Sequence, residues 1–307
     1  MAGAEDKGPQ KIVVISGPTA VGKTAISVEI ARNFNGEIIN ADCMQIYRGL
    51  NIGTAKPSPL EMGGVPHHLF DILYPDQEFS AGDFKRLADQ KISEILSRGR
   101  LPVLVGGTGM YLRALLKGLI ETPPKDQGIR ESLKNRETGS LYRELTEVDP
   151  ATAKRLHKND RVRIIRALEV YRLTRTPPSQ LLRDHGFREK RYNALCLFLS
   201  MERKRLYERI DLRCEEMIKS GLIEEVRGLL EKYPPDLRPF GSIGYRHIKN
   251  HLLLGTPLER CLEEFKRDSR RYAKRQFIWF RKEPEFQWIG SEEKDQIFAL
   301  IENFLNS

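Results

Sequence analysis

No run of about eighteen apolar residues occurs in this chain, so no membrane span is expected. The opening MAGAEDKGPQ has no apolar signal core, and residues 1–9 read as a disordered lead-in. Cysteine is scarce: Cys43, Cys196, Cys214 and Cys261 are the only four, and none forms a C-x-x-C pair. That usage argues against a disulfide scaffold or a zinc site and fits reduced thiols in the cytoplasm. Internal repeats and low-complexity tracts are also missing, which leaves an ordinary globular chain.

What is present supports that class. The 307 residues are 40% hydrophobic and 30% charged, enough for one large domain or two modest ones with a sizeable core. Lys and Arg number 51 against 42 Asp and Glu, a net charge of +9. The excess fits a polyanionic partner, but where the charge sits matters more than its sum.

The first third alternates strand and helix signals. Lys11–Ser16 is a short apolar run rich in β-branched residues, hence a buried strand. Thr24–Phe34 puts Ile26, Ile30 and Phe34 on one helical face. Glu37–Ala41 reads as a second strand, Ala81–Leu96 as a helix and Leu101–Val105 as a third strand. This alternation predicts an α/β fold, a parallel sheet with crossover helices. Between the proline pairs Pro123-Pro124 and Pro177-Pro178 the chain is charged and helical, with Leu141, Leu145 and Val148 on one face and Val162, Ile165 and Leu168 on another. Residues 122–190 therefore read as a helical insertion into a core formed by 10–121 and 191–307. The sheet pattern returns at Ala194–Leu199. Helices are expected over Glu202–Ser220, Ile223–Lys232 and Pro257–Arg281, the last strongly basic.

Gly17-Pro18-Thr19-Ala20-Val21-Gly22-Lys23-Thr24 fits G-x-x-x-x-G-K-[ST], and it follows a strand and opens a helix. Glycines at both ends let successive N–H groups turn inward toward phosphate oxygens, and the helix N-terminus favours an anion there. Lys23 supplies a mobile positive charge. The Thr24 hydroxyl suits a Mg²⁺ that bridges phosphates. The loop specifies a di- or triphosphate, not a nucleotide. The carboxylates expected of an NTPase are few: the nearest is Asp42, and LPVLV ends in glycines. Asp42 is thus a metal partner or a base.

Further strings are more specific. They are Asp42–Leu50 (DCMQIYRGL), Ile52–Pro57 (IGTAKP), His67-His68-Leu69, Gly106–Tyr111 (GGTGMY), Arg166–Val170 (RALEV), Ile243–Arg246 (IGYR) and Arg271–Gln276 (RYAKRQ). In this order, across Lys11 to Arg281, the chain resembles the bacterial tRNA dimethylallyltransferase family. The resemblance implies a P-loop NTPase-like core with a helical insertion. It implies transfer of a dimethylallyl group from dimethylallyl diphosphate to N6 of the adenosine 3′ of the anticodon, with Mg²⁺ and without ATP hydrolysis. It gives Asp42 the role of general base, with Thr108 beside the reacting amine. It assigns Gly17, Pro18, Thr19, Ala20, Val21, Gly22, Lys23, Thr24 and Arg246 to the leaving diphosphate. Contact with the tRNA anticodon stem-loop falls to Asp42, Cys43, Met44, Gln45, Thr108, Arg130, Val162, Arg163, Ile164, Ile165, Arg166, Lys274, Arg275 and Gln276. A monomer is expected.

The chemistry suits these residue types. An adenine amino group is a poor nucleophile, and a carboxylate that takes its proton as the C–N bond forms raises its reactivity. Charge building on the diphosphate needs fixed donors. The adenosine must leave its stack, which is easier from a single-stranded loop. Aromatics between the basic residues of the last helix (Phe265, Tyr272, Phe277, Trp279, Phe280) read mostly as core, and His67-His68 point to opposite faces of a strand-like run, which argues against a shared metal. Three positions depart from the family pattern: Cys43 for serine, Asn51 for aspartate, and His247 for glutamine or glutamate. No zinc-finger extension follows Ser307, as expected of the compact bacterial type. The competing readings are a small-molecule or nucleoside kinase, a prenyltransferase acting on free adenine nucleotides, and a non-catalytic RNA-binding P-loop protein.

Overall fold

The computed structural model describes residues 10–307; the expected disordered lead-in lies outside them. The described residues form two compact units, one running up to Leu116 and resuming over Lys190–Ser307, the other Lys117–Glu189.

The larger unit is built on a six-stranded sheet: β1 Lys11–Ser16, β2 Gly36–Asn40, β3 His67–His68, β4 Leu101–Val105, β5 Asn193–Ser200 and β6 Phe286–Gly290. The order is β3-β2-β4-β1-β5-β6, with every pairing parallel. Helices cover both faces, so the central strands carry unbroken apolar runs. Ile12, Val13, Val14 and Ile15 of β1 are all at 0% exposure.

Register explains where a ligand can bind. Ile15 and Asn40 both stand opposite Val105. The three neighbouring strands β1, β4 and β2 therefore end level, and the segments that follow them (Gly17–Thr24, Gly106–Thr108 and Ala41–Gln45) emerge side by side. Crevices outside the carboxyl ends of parallel strands are the usual ligand sites of such sheets.

The expected strands and long helices form, within one or two residues at each end. Ala81–Ser97 begins with a capping box in which Ser80 Oγ accepts from Asp83 N and Asp83 accepts from Ser80 N. The sequence pattern does not show β6 or, in the larger unit, the helices Pro59–Met62, Gly109–Lys117, Tyr245–Leu254 and Lys294–Asn306. β6 is an edge strand of five residues with an irregular burial pattern, too weak a period to recognise.

The smaller unit consists of the helices Gln127–Lys134, Thr138–Val148, Pro150–Arg155, Arg161–Thr174 and Pro178–His185. Their core is Leu133, Leu141, Leu145, Ala153, Ile164, Ile165, Ala167 and Leu168. Pro178 opens the last of these helices, because proline at the first helical position gives up no hydrogen bond. Val162 was expected on an inner face with Ile165 and Leu168 but is 81% exposed, whereas Ile164 is at 0%. No described helix is long and apolar enough to cross a membrane.

Candidate active site

Gly17 opens the phosphate loop because a Cβ there would stand 2.8 Å from the carbonyl oxygen of Leu199. Gly22 has φ +103° and immediately precedes the helix Lys23–Asn33, a conformation that favours glycine. No side chain caps that helix, so its first N–H groups stay available to an anion. Lys23 Nζ donates to the carbonyls of Gly17 and Pro18 at 2.9 and 2.8 Å. An ammonium carries three donors, which leaves one for a phosphate oxygen. Burial and the nearby Arg213 lower the Lys23 pKa to about 8, against an opposing pull from Asp42.

Asp42 stands two residues beyond the end of the loop's neighbour-but-one strand, β2. Its backbone N–H donates to Asn40 Oδ1 at 2.9 Å, and its own Oδ1 accepts from Met44 N at 2.8 Å. Thr108 is tied to the same turn: its N–H donates to Ala41 O at 3.2 Å, and its Oγ1 accepts from Cys43 N at 3.0 Å. The sequence strings around Asp42 and Thr108 thus meet. Burial, reinforced by Asp42, pushes the Cys43 thiol up to about 11, so serine's replacement here is a neutral thiol. Gln45 is held inward, donating to the carbonyls of Thr54 and Ala55 at 3.0 and 3.2 Å.

Two compartments adjoin at Asp42. One, of about 610 Å³, is lined by Lys23, Thr24, Arg209, Arg213 and Gln276. The other, of about 320 Å³, is largely apolar, with Met44, Ile210, Met217, Ile243 and Phe265 on its walls. Asp42, Arg213 and Tyr272 line both. A polar chamber around the phosphate loop, joined at a carboxylate to an apolar one, can hold a molecule with an anionic head and a hydrocarbon tail. Arg213 was missed. It belongs to the helix Arg203–Lys219, where the charge-rich sequence reads as a solvated face; its i, i+4 relation to Arg209 is the only hint.

Arg246 lines the apolar compartment, where its Nη2 donates to Asp268 Oδ2 at 2.5 Å. His247, one of the departures, is 3% exposed and meets the same carboxylate at 3.3 Å. Arg246 is thus one arm of an ion-pair cluster rather than the isolated surface arginine its sequence context shows.

The residues expected to touch tRNA divide. Lys274 and Arg275 are exposed, as are Val162 and Arg163 of the smaller unit. Gln276 is buried at 5% exposure: Oε1 accepts from Thr19 N at 2.9 Å and Nε2 donates to Gly107 O at 3.2 Å. Its amide is engaged inside the protein, which corrects the expectation that it faces RNA. Ile164 and Ile165 are core. Arg130 and Arg166 both grip Glu169, which is at 0% exposure: Arg130 uses Nε and Nη2 at 2.8 and 2.9 Å, and Arg166 uses Nη1 at 2.7 Å. Those two arginines hold their own unit together. Phe265 and Phe280 are buried as read, and Tyr272, Phe277 and Trp279 half-buried. Among the described residues no cluster of three or more His, Cys, Asp or Glu side chains is placed to hold a metal.

Comparison with known proteins gives one consistent result. A family model described as IPP transferase matches residues 45–283. The chain is 50% identical over 308 residues to tRNA dimethylallyltransferase 2 of Geotalea uraniireducens, covering 99% of this chain and 98% of the relative. The full-length tRNA isopentenylpyrophosphate transferase of Bacillus halodurans superposes with TM-score 0.72 at 40% identity, covering 97% of both chains. A eukaryotic dimethylallyltransferase caught acting on tRNA superposes with TM-score 0.81 at 29% identity, covering 94% of this chain and 75% of that one. With the family model spanning most of its length and such relatives matching nearly end to end, this chain belongs to the IPP transferase family of tRNA-modifying prenyltransferases.

Proposed function

We propose that this protein transfers a dimethylallyl group from dimethylallyl diphosphate to N6 of the adenosine 3′ of the anticodon in tRNA, as a monomer in the cytoplasm. One observation carries the reading: Asp42 stands at the junction of an anion-binding chamber and an apolar one.

The diphosphate occupies the phosphate loop, Gly17–Thr24, with Lys23 and Arg213 neutralising it and Arg246 acting from the apolar side. As the C–N bond to N6 forms, the C–O bond breaks and its electron pair leaves on the diphosphate. Asp42 accepts the proton that N6 loses. Thr108, bonded to the Cys43 backbone, fixes the turn that presents Asp42. The donor charges are in place before the reaction, so stabilising the departing diphosphate needs no reorganisation. The Thr24 hydroxyl would be one ligand of Mg²⁺, an ion that takes most of its others from substrate phosphates and water rather than from a carboxylate cage. When bound, it supplies further charge against the leaving group. Exposed Lys274, Arg275, Val162 and Arg163 contact the tRNA.

The test is transfer of labelled prenyl from dimethylallyl diphosphate, with Mg²⁺, into tRNA, AMP and ATP in parallel. Label entering tRNA alone is the expected outcome. Transfer only to free nucleotides would sink the tRNA reading, and phosphoryl transfer from ATP would restore the kinase reading.

A further inference from the structure

We propose that Gln276 is a positioning residue that fixes the donor's phosphate loop against the turn carrying Thr108 and Asp42, setting the distance over which the prenyl group passes. The proposal rests on the prenyl-transfer reading above.

Gln276 belongs to the helix Leu258–Phe280, far in sequence from both segments it joins. Its carbonyl oxygen takes the N–H of Thr19, inside the phosphate loop, and its amide N–H takes the carbonyl of Gly107, next to Thr108. From Gly107 the connection continues without a gap. Thr108 Oγ1 accepts from Cys43 N, and Cys43 adjoins Asp42. Gly107 is fitted to this arrangement, because a Cβ there would stand 2.1 Å from Gln276 Nε2. On the other side, Ala20 next to Thr19 is held at φ +65°, a conformation that needs surrounding structure to persist.

The residue type is dictated. One partner is a donor and the other an acceptor, so the side chain must offer one of each at its two ends. Glutamate would turn an oxygen against the Gly107 carbonyl. A buried partner left unsatisfied is destabilising, so the loop and the turn would separate rather than tolerate it. Group transfer between two bound reactants is sensitive to such a shift: a misplacement of about 1 Å can cost on the order of 100-fold.

The experiment uses the full chain with Gln276→Met and Gln276→Glu. Wild type, assayed alongside on tRNA with dimethylallyl diphosphate, tests the underlying reading by itself. Given an active wild type, Gln276→Met is expected to lower kcat roughly 10- to 100-fold. The KM for tRNA and the affinity for a non-reactive thio-analogue of the donor should stay within about threefold. Gln276→Glu supplies the readout that a purely structural role would not move. Protonated glutamate again offers one donor and one acceptor, so the ratio of its kcat to wild type should rise as pH falls from about 8 to 5. Lys23, Asp42 and Arg213 line the same compartment and are common to both proteins, so the ratio to wild type sets aside the pH dependence that the two share. A raised KM for tRNA with unchanged kcat would return Gln276 to RNA contact and overturn the proposal. So would a wild-type kcat in Gln276→Met. If that variant does not fold, a flat Gln276→Glu ratio across pH overturns it as well.

Discussion

At the scale of single residues, Lys23 ties structure to a measurable pH dependence. Its pKa is lowered to about 8, chiefly by burial and then by Arg213, with Asp42 pulling the other way. The charged form is the one that binds diphosphate. Below about 8 the ammonium is present. As pH rises through that value the site loses a positive charge, and donor affinity should fall toward tenfold per unit. Bound diphosphate favours the ammonium, so the complex should titrate higher than the free enzyme. Measuring the dissociation constant of the non-reactive donor analogue from pH 6 to 10 checks this. A flat profile would mean that Arg213 and the loop N–H groups carry the binding. The sequence revealed Lys23, Asp42 and Thr108 because each sits in a local string that meets its partners at the sheet's edge. It hid Arg213 and misplaced Gln276, because their roles come from what faces them across the fold. Gln276 follows Lys274 and Arg275 in the sequence, but it turns to the opposite side of their helix.

At the scale of elements, Glu169 shows why a charged string can mislead. The resemblance sets Val162–Arg166 against RNA, yet Arg166 pairs with Glu169, which is fully buried and also accepts the Asp126 N–H at 2.8 Å. Its main partner, Arg130, is 39 residues away, and nothing local announces the pairing. Burial alone would raise the Glu169 pKa, but Arg130, Arg166 and the Asp126 N–H together hold it down at about 2. A depressed folded-state value gives stability that is present above the unfolded value, near 4.5, and lost as pH falls toward 2. Glu169→Gln removes the counter-charge shared by two partly buried arginines and is expected to cost about 3 kcal/mol. Hydrogen exchange should show the loss in the helices Gln127–Lys134 and Arg161–Thr174, with β1 and β4 still protected. The variant should also lose the acid-dependent step between pH 4.5 and 2. Equal loss of protection in the sheet would contradict a local role. The long elements, by contrast, were legible: β1, β4 and β5 carry buried apolar runs, and Ala81–Ser97 has both its capping signal and its inner face. Strand β6, of five residues at the edge of the sheet, exists because a neighbour offers an edge, which no local pattern encodes.

At the scale of the whole molecule, the +9 charge becomes an argument only through its exposed part. Some basic side chains of the last long helices are paired within the protein: Arg270 with Asp211, and Lys266 with Glu215 and Glu263. On the helix Leu258–Phe280, Arg271 is 63% exposed at its side chain, and Lys274 is exposed as well. If these two meet tRNA phosphates, each releases about one counterion on binding, and the logarithm of the association constant falls with log salt at roughly 0.7–0.9 per phosphate contact. Arg271→Ala with Lys274→Ala should therefore flatten that slope by about 1.4–1.8 and weaken binding most at low salt. Neither residue lines the compartments where the donor and the reacting amine meet. Transfer at saturating tRNA and affinity for the donor analogue should accordingly stay within about twofold of wild type. Filter binding of tRNA between 50 and 300 mM salt, roughly the range where such slopes are read, together with kcat at saturation, separates the cases. An unchanged slope would move the RNA footprint off this helix. A fall in kcat at saturation would mean that the basic face acts on the chemistry through Gln276, two residues along, and not only on encounter.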